Sequence, residues 1–157
     1  MQVSVVFGTY NRDLHVILPQ RRHGSRRTRG VPPLREDDVQ VSVVFGTYNR
    51  AELLTRSLEG YLRQSLPLDR LEIIAIDDWS TDDTADVLAT YAKRMRIVVI
   101  RPPWKEPGTW RDSATVLNIG FRAAAGELVV STHPEVIPGL DSLRSMHAHR
   151  RERAYHA

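Results

Sequence analysis

From Val41 onward, short apolar runs and helix-periodic segments alternate along the chain, and that alternation is the strongest constraint on its fold. "VSVVFG" reads as a buried strand. The next segment is a helix spanning Ala51–Ser65, with Leu53, Leu54, Leu58, Tyr61 and Leu62 at helical spacing. Asn49 is placed to cap this helix, and Glu52 three residues later to close a capping box. "LEIIAI" (Leu71–Ile76) is a second strand. "STDDTADVLATYAKRM" is a helix capped by Ser80, with acidic residues favourably placed in its first turn. "RIVVI" is a third strand, leading into the loop "RPPWKEPGTW". A helix over Asp112–Ala125, the strand "ELVVST" and a last helix in "PGLDSLRSMHAHRRER" complete the series. Short, continuously apolar strands alternating with helices predict an α/β domain with a mostly parallel sheet flanked by helices.

One segment breaks this rhythm. The eleven residues Gln40–Arg50, "QVSVVFGTYNR", also occur letter for letter at Gln2–Arg12. Copies of an old structural repeat keep a pattern rather than every letter, so a recent duplication, a misplaced start or a cloning scar fits better. The downstream residues separate the two copies. The second copy leads into the amphipathic helix. The first leads into "DLHVILPQRRHGSRRTRGVPPLREDD", where Pro19, a basic tract and Pro32-Pro33 rule out a long crossover helix. The second copy is therefore the native strand. Residues 1–39 read as a duplicated strand segment plus a basic, Pro-containing linker, expected to be poorly ordered, and residues 40–157 as the folded domain. An identical spare strand is also equipped to pair at a sheet edge or to compete for the central position.

Composition narrows the function classes. A chain of 157 residues suggests one domain. No apolar run approaches the roughly 20 residues that span a bilayer, and the start lacks the basic and apolar regions of a signal peptide. With no cysteine, disulfide and thiolate chemistry are excluded, which fits a reducing, cytoplasmic compartment. The net charge of +3 is unevenly spread, with Arg21, Arg22, His23, Arg26, Arg27 and Arg29 crowded together. Clustered arginines attract phosphate backbones. This tract lacks interleaved aromatics and is flanked by Pro and Gly, so a solvated linker and no nucleic-acid partner are expected. "FGTYNR" matches neither G-x-G-x-x-G nor G-x-x-x-x-G-K-[ST], which disfavours a dinucleotide oxidoreductase or a P-loop NTPase.

Polar residues gather at the carboxyl ends of three of the expected strands. The first ends in Thr47, Tyr48, Asn49 and Arg50, the second in Asp77 and Asp78, and the fourth in Thr132, His133 and Glu135. In an open parallel sheet these ends share one rim, where ligands bind. Each cluster alone has a plainer reading: aspartates opening a helix, a His-Pro-Glu turn, a half-buried packing tyrosine. Their matching topological positions favour a site for a polar ligand with a divalent cation.

These residues resemble glycosyltransferase family 2, which has the GT-A fold. "VSVVFGTYNRAELLTRSLEGYLRQS" is similar to the family's opening strand and helix, usually worded V-S-V-V-I-P-T-Y-N-R. "LEIIAIDDWSTDDTADVL" resembles its second motif, E-I-I-V-V-D-D-G-S-T-D-D-T, with Trp79 in place of the usual glycine. "NIGFRAAAGELVV" resembles the family's N-x-G helix, followed by G-E and a strand. The resemblance runs from Gln40 to about Leu143 and agrees in order, spacing and secondary-structure context.

The resemblance implies a Rossmann-like GT-A half-domain of the hexosyltransferase type. It implies a nucleotide-diphospho-sugar donor bound by Thr47, Tyr48, Arg50, Asp77, Asp78, Arg111, Asn118 and His133. In that reading Asp78 accepts a hydrogen bond from the base and Asp77 supports the same loop. The family's metal-binding D-x-D falls on His133-Pro134-Glu135. Glu135 and His133 are then the candidate ligands of a Mn²⁺ or Mg²⁺ ion bridging the diphosphate, with His133 favouring Mn²⁺. The implied chemistry is inverting displacement at the anomeric carbon by an acceptor hydroxyl. It needs charge neutralisation on the departing diphosphate and a carboxylate base. In the family the base and the acceptor surface lie well beyond D-x-D, and Asp141 is too close to that motif to serve. The resemblance thus implies a donor-binding half, incomplete at its C-terminus, with catalytic residues and acceptor unknown. Apolar surface normally covered by the other half predicts self-association. The alternative is a non-catalytic fragment or pseudo-enzyme retaining only the fold.

Overall fold

The apolar runs have side chains to bury on both sides, and one sheet with helices on each face satisfies them. The computed structural model describes residues 15–17, 38–103 and 113–149. Among these, β1 (His15–Ile17), β2 (Val41–Thr47), β3 (Leu71–Asp77), β4 (Arg96–Arg101) and β5 (Leu128–Ser131) form a sheet of order β1-β4-β3-β2-β5. Strands β2 to β5 are parallel to one another, and β1 runs antiparallel along the edge of β4. The helices are α1 (Ala51–Leu62), α2 (Thr84–Tyr91), α3 (Ser113–Ala123) and α4 (Ser142–Ala148).

Alternation along the strands builds two cores. Val41, Val43, Phe45, Ile73 and Ala75 pack with Leu54, Leu58, Leu88 and Leu143 on the face covered by α1, α2 and α4. Val44, Ile74, Ile76 and Ile100 pack with Val116 of α3 on the other. Helix α3 comes close because Gly120 has no side chain: a Cβ there would run into Val44 and Ile76.

The four parallel strands fall where the sequence pattern predicts, with ends differing by a residue or so. The helices are shorter than expected. Helix α2 starts at Thr84, not Ser80, because the intervening residues are used in a loop that bonds to Asn49 and its neighbours. Helix α4 starts at Ser142, since the preceding Pro138 packs beside Gly60 and Gly139 accepts the Ser142 amide. Both copies of the repeat were candidates for pairing. The second is β2, and the first lies outside the described residues. Yet within the segment expected to be a poorly ordered linker, His15–Ile17 forms the edge strand β1.

A buried polar group holds the amino ends of the strands. Ser42, Glu72 and Arg96 are register neighbours on β2, β3 and β4. The fully buried Glu72 carboxylate accepts hydrogen bonds from Ser42 Oγ and from the Ala125 amide at 2.8 Å, and Arg96 Nε lies 3.0 Å away. Ser42 Oγ in turn accepts the Gly126 amide at 2.8 Å, which ties the α3–β5 connection to the sheet. Removing one partner of a fully enclosed ion pair costs about 3–5 kcal/mol. The Arg96 side chain is 27% exposed, so water relieves part of that penalty. Arg96→Ala is expected to lower the unfolding free energy by about 2–3 kcal/mol, measured by chemical denaturation, with far less loss when Glu72→Gln is added.

Candidate functional site at the carboxyl rim

Going along the chain, β3 and β4 are added on one side of β2, and β5 returns to its other side. Such a reversal marks the part of a parallel sheet's carboxyl rim where ligands bind. At this rim Thr47 is the register partner of Asp77, and the Asp78 amide donates to the Thr47 carbonyl at 2.9 Å. The first two predicted clusters are therefore joined directly.

The loops above them are stitched together by Asn49. Its amide donates to Ser80 Oγ at 3.0 Å, and its Nδ2 to Thr81 Oγ1 at 3.2 Å. Its Oδ1 accepts the amides of Thr81 (2.7 Å) and Asp82 (3.3 Å). Asn49 adopts φ 51°, a left-handed conformation that asparagine tolerates better than most residues. This corrects the expected capping. Asn49 and Glu52 do not close a box on α1. Its exposed amides go instead to the other loop, Arg50 N to Thr84 Oγ1 at 3.0 Å and Ala51 N to Asp82 Oδ2 at 3.1 Å. Ser80 likewise does not cap α2, since its hydroxyl serves Asn49. Hydrogen bonds, that from the Thr84 hydroxyl foremost, hold the Asp82 carboxyl below the usual carboxylate range.

Asp77 is fully buried and anchored on two sides. Its Oδ1 accepts the Ser80 amide at 2.9 Å. Its Oδ2 accepts Arg101 Nε at 3.0 Å and faces Nη2 at 2.9 Å. The Arg101 guanidinium also lies over the Trp79 ring, its Cζ 5.5 Å from the centroid, a cation–π distance, and Trp79 Nε1 donates to the Pro102 carbonyl at 3.0 Å. Trp79 has φ 62°, the conformation that glycine adopts without strain.

The remaining predicted residues differ in exposure. Thr47 is buried, and its Oγ1 has no protein partner among the described residues. Tyr48 is 53% exposed and Arg50 is exposed, whereas Asp78 is half-buried. Thr132 donates its amide to Val44 at the point where β5 leaves the sheet. His133 and Glu135 are on the next turn, around the buried Pro134, and both are exposed. Beneath this turn Tyr61 has its hydroxyl pKa pushed up to about 12 by burial, partly offset by a hydrogen bond with Thr132. Asn118 stands exposed in the middle of α3, and Arg111 lies outside the described residues. Sequence reasoning missed Arg101. The rule that found the other clusters, polar residues at strand ends, would have found it had it been applied to β4 as well.

The sequence pattern described as Glycosyl transferase family 2 matches residues 42–134, more than half of the chain. The chain belongs to this family. Among curated proteins, it is 37% identical over 97 residues to a validoxylamine A glucosyltransferase of Streptomyces hygroscopicus subsp. jinggangensis, covering 62% of this chain and 22% of the relative. It is 36% identical over 92 residues to a poly(ribitol-phosphate) beta-glucosyltransferase of Bacillus spizizenii, covering 59% and 14%. The family 2 segment thus corresponds to under a quarter of these two relatives' lengths. In the crystal structure of S. aureus TarS 1-349, the match covers 70% of this chain and 32% of that one, with 24% identity and a TM-score of 0.63. The mannosyltransferase PcManGT of Pyrobaculum calidifontis, in complex with GDP-Man and Mn²⁺, matches at 30% identity with a TM-score of 0.58, covering 66% and 30%. The fold is that of the GT-A glycosyltransferases.

The Asn49 latch is separable from the conformation it holds. Asn49→Gly keeps access to the left-handed backbone and loses only the side-chain bonds, an expected cost of about 1 kcal/mol. Asn49→Ala also pays for the left-handed backbone, a further 1 kcal/mol or so. Thermal unfolding of both variants should rank them wild type, Gly, Ala; equal melting temperatures for all three would show that the latch contributes nothing.

Proposed function

We propose that this chain binds a nucleotide-diphospho-sugar along the β2–β3 rim and presents it for inverting transfer to an acceptor hydroxyl. The observation that carries this reading is the latched pair of loops: Thr47, Tyr48 and Arg50 on one, Asp77 and Asp78 on the other, joined at a single rim. It is supported by what related proteins bind. TarS has been solved with UDP and with UDP-GlcNAc, and the mannosyltransferase with GDP-Man and Mn²⁺.

In this reading the exposed Tyr48 ring and the Thr47 hydroxyl face the nucleoside, and Asp78 accepts a hydrogen bond from the base. Asp77 works indirectly by holding the loop. Arg50 lies near the nucleoside, and Arg111 and Asn118 are assigned to the diphosphate-sugar. Among the described residues, no group of three or more His, Asp or Glu gathers to hold a metal. His133 and Glu135 nonetheless fit a shared ion. One imidazole nitrogen and one carboxylate on a single turn would suit Mn²⁺ as partial ligands. When bound, such an ion would neutralise the departing diphosphate. The carboxylate base for the acceptor hydroxyl is assigned to no residue of this chain, and the segment acts as the donor-binding half of the reaction.

Calorimetric titration with UDP- and GDP-sugars in Mn²⁺ tests the proposal. Binding of at least one donor is expected, weakened about tenfold or more by Asp78→Ala and made insensitive to Mn²⁺ by Glu135→Ala. Neither change should move the melting temperature by more than a few degrees. Absence of heat with every donor, or full affinity in Asp78→Ala, would contradict it.

A further inference from the structure

We infer that Arg101 is a positioning residue for donor recognition, holding Asp78 in place through both of its neighbours. This inference rests on the donor-binding reading. Arg101 is the last residue of β4, and its guanidinium makes two contacts at once. Nε and Nη2 reach Asp77 Oδ2 at 3.0 and 2.9 Å, and Cζ lies 5.5 Å from the centroid of the Trp79 ring. These are the residues immediately before and after Asp78.

Trp79 is the costlier of the two anchors. A bulky residue keeps φ 62° only where its surroundings impose it. Here they do so through the Arg101 cation–π contact and through the bond from the indole Nε1 to Pro102, the residue next to Arg101. The exit of β4 therefore grips both flanks of Asp78, while the Asp78 amide is fixed to Thr47 on β2. The backbone from Asp77 to Trp79 is restrained from two neighbouring strands, and it sets the direction in which the Asp78 carboxylate leaves the chain. A carboxylate that reads a hydrogen-bonding edge needs that restraint, because a shift of about 1 Å forfeits most of the contact. Arginine suits the task better than lysine. Its guanidinium can present two N–H groups to a carboxylate while its Cζ lies over an indole ring, which a compact charge on a flexible stem does less well.

A double-mutant cycle on the whole chain tests this, with UDP and GDP titrated calorimetrically in Mn²⁺. Arg101→Lys keeps a cation for the buried Asp77 and gives up the paired Nε and Nη2 contacts and the placement over Trp79, so the fold should be retained. It is expected to weaken binding of the preferred nucleotide about tenfold. The same change in an Asp78→Asn background is expected to weaken it less than about twofold, because the effect runs through Asp78. Should Arg101→Lys unfold the protein, Arg101→Gln combined with Asp77→Asn carries the same comparison, removing the guanidinium without leaving a buried, unpaired carboxylate at Asp77. Equal losses in both backgrounds, or no loss in the wild-type background, would overturn the role of Arg101 and leave donor binding standing. A wild-type chain that binds neither nucleotide would overturn both.

Discussion

The site depends first on one constraint, the in-register parallel pairing of β2 with β3. Because Val41 pairs with Leu71 and every later residue keeps step, the two strands end together with Thr47 opposite Asp77. A slip of one residue would turn every side chain of β2 to the opposite face and leave the core on one side of the sheet unfilled. The hydrophobic core thus sets the register, and the register places the polar ends side by side. The latch through Asn49 then needs only short reaches, and it satisfies the first amides of α1 from the neighbouring loop.

Strand β4 solves the same electrostatic problem twice. Strand β3 buries a carboxylate near each end, Glu72 and Asp77, and both are fully enclosed. A buried carboxylate without a partner is costly. Strand β4 supplies one arginine for each, Arg96 and Arg101. The spacing is five residues on both strands, so the two pairs fall on opposite faces of the sheet. The pair at the amino ends fastens the α3–β5 connection. The pair at the carboxyl ends sits in the candidate site, where Arg101 also meets Trp79. One arrangement is thus structural at one end and available to function at the other.

Much of the fold was legible because it is written in periodicity. The runs "VSVVFG", "LEIIAI" and "RIVVI" needed no tertiary context to be read as strands, and their alternation with helices implied the parallel sheet. Asn49, Glu52 and Ser80 were harder. Local spacing assigned them to caps on their own helices, but Asn49 and Ser80 bond across some thirty residues, a choice that depends on the two loops already being adjacent. Arg101 was hidden for a related reason: at the end of an apolar strand it reads as a surface charge until Asp77 is seen beside it. Edge strand β1 was illegible because three residues in a short run cut off by Pro19, ahead of the basic tract, are too few to establish a strand period. The residues that resemble a donor site were visible as letters, whereas the strain at Trp79 was visible only as a backbone angle.

The central claim is that the loops after β2 and β3 form one nucleotide pocket. Amide hydrogen exchange with and without UDP or GDP, in Mn²⁺, tests it most directly. The account predicts that residues 47–50 and 78–82 gain protection together in the presence of one nucleotide. Protection confined to one loop, or appearing only on a distant element such as α4, would contradict it.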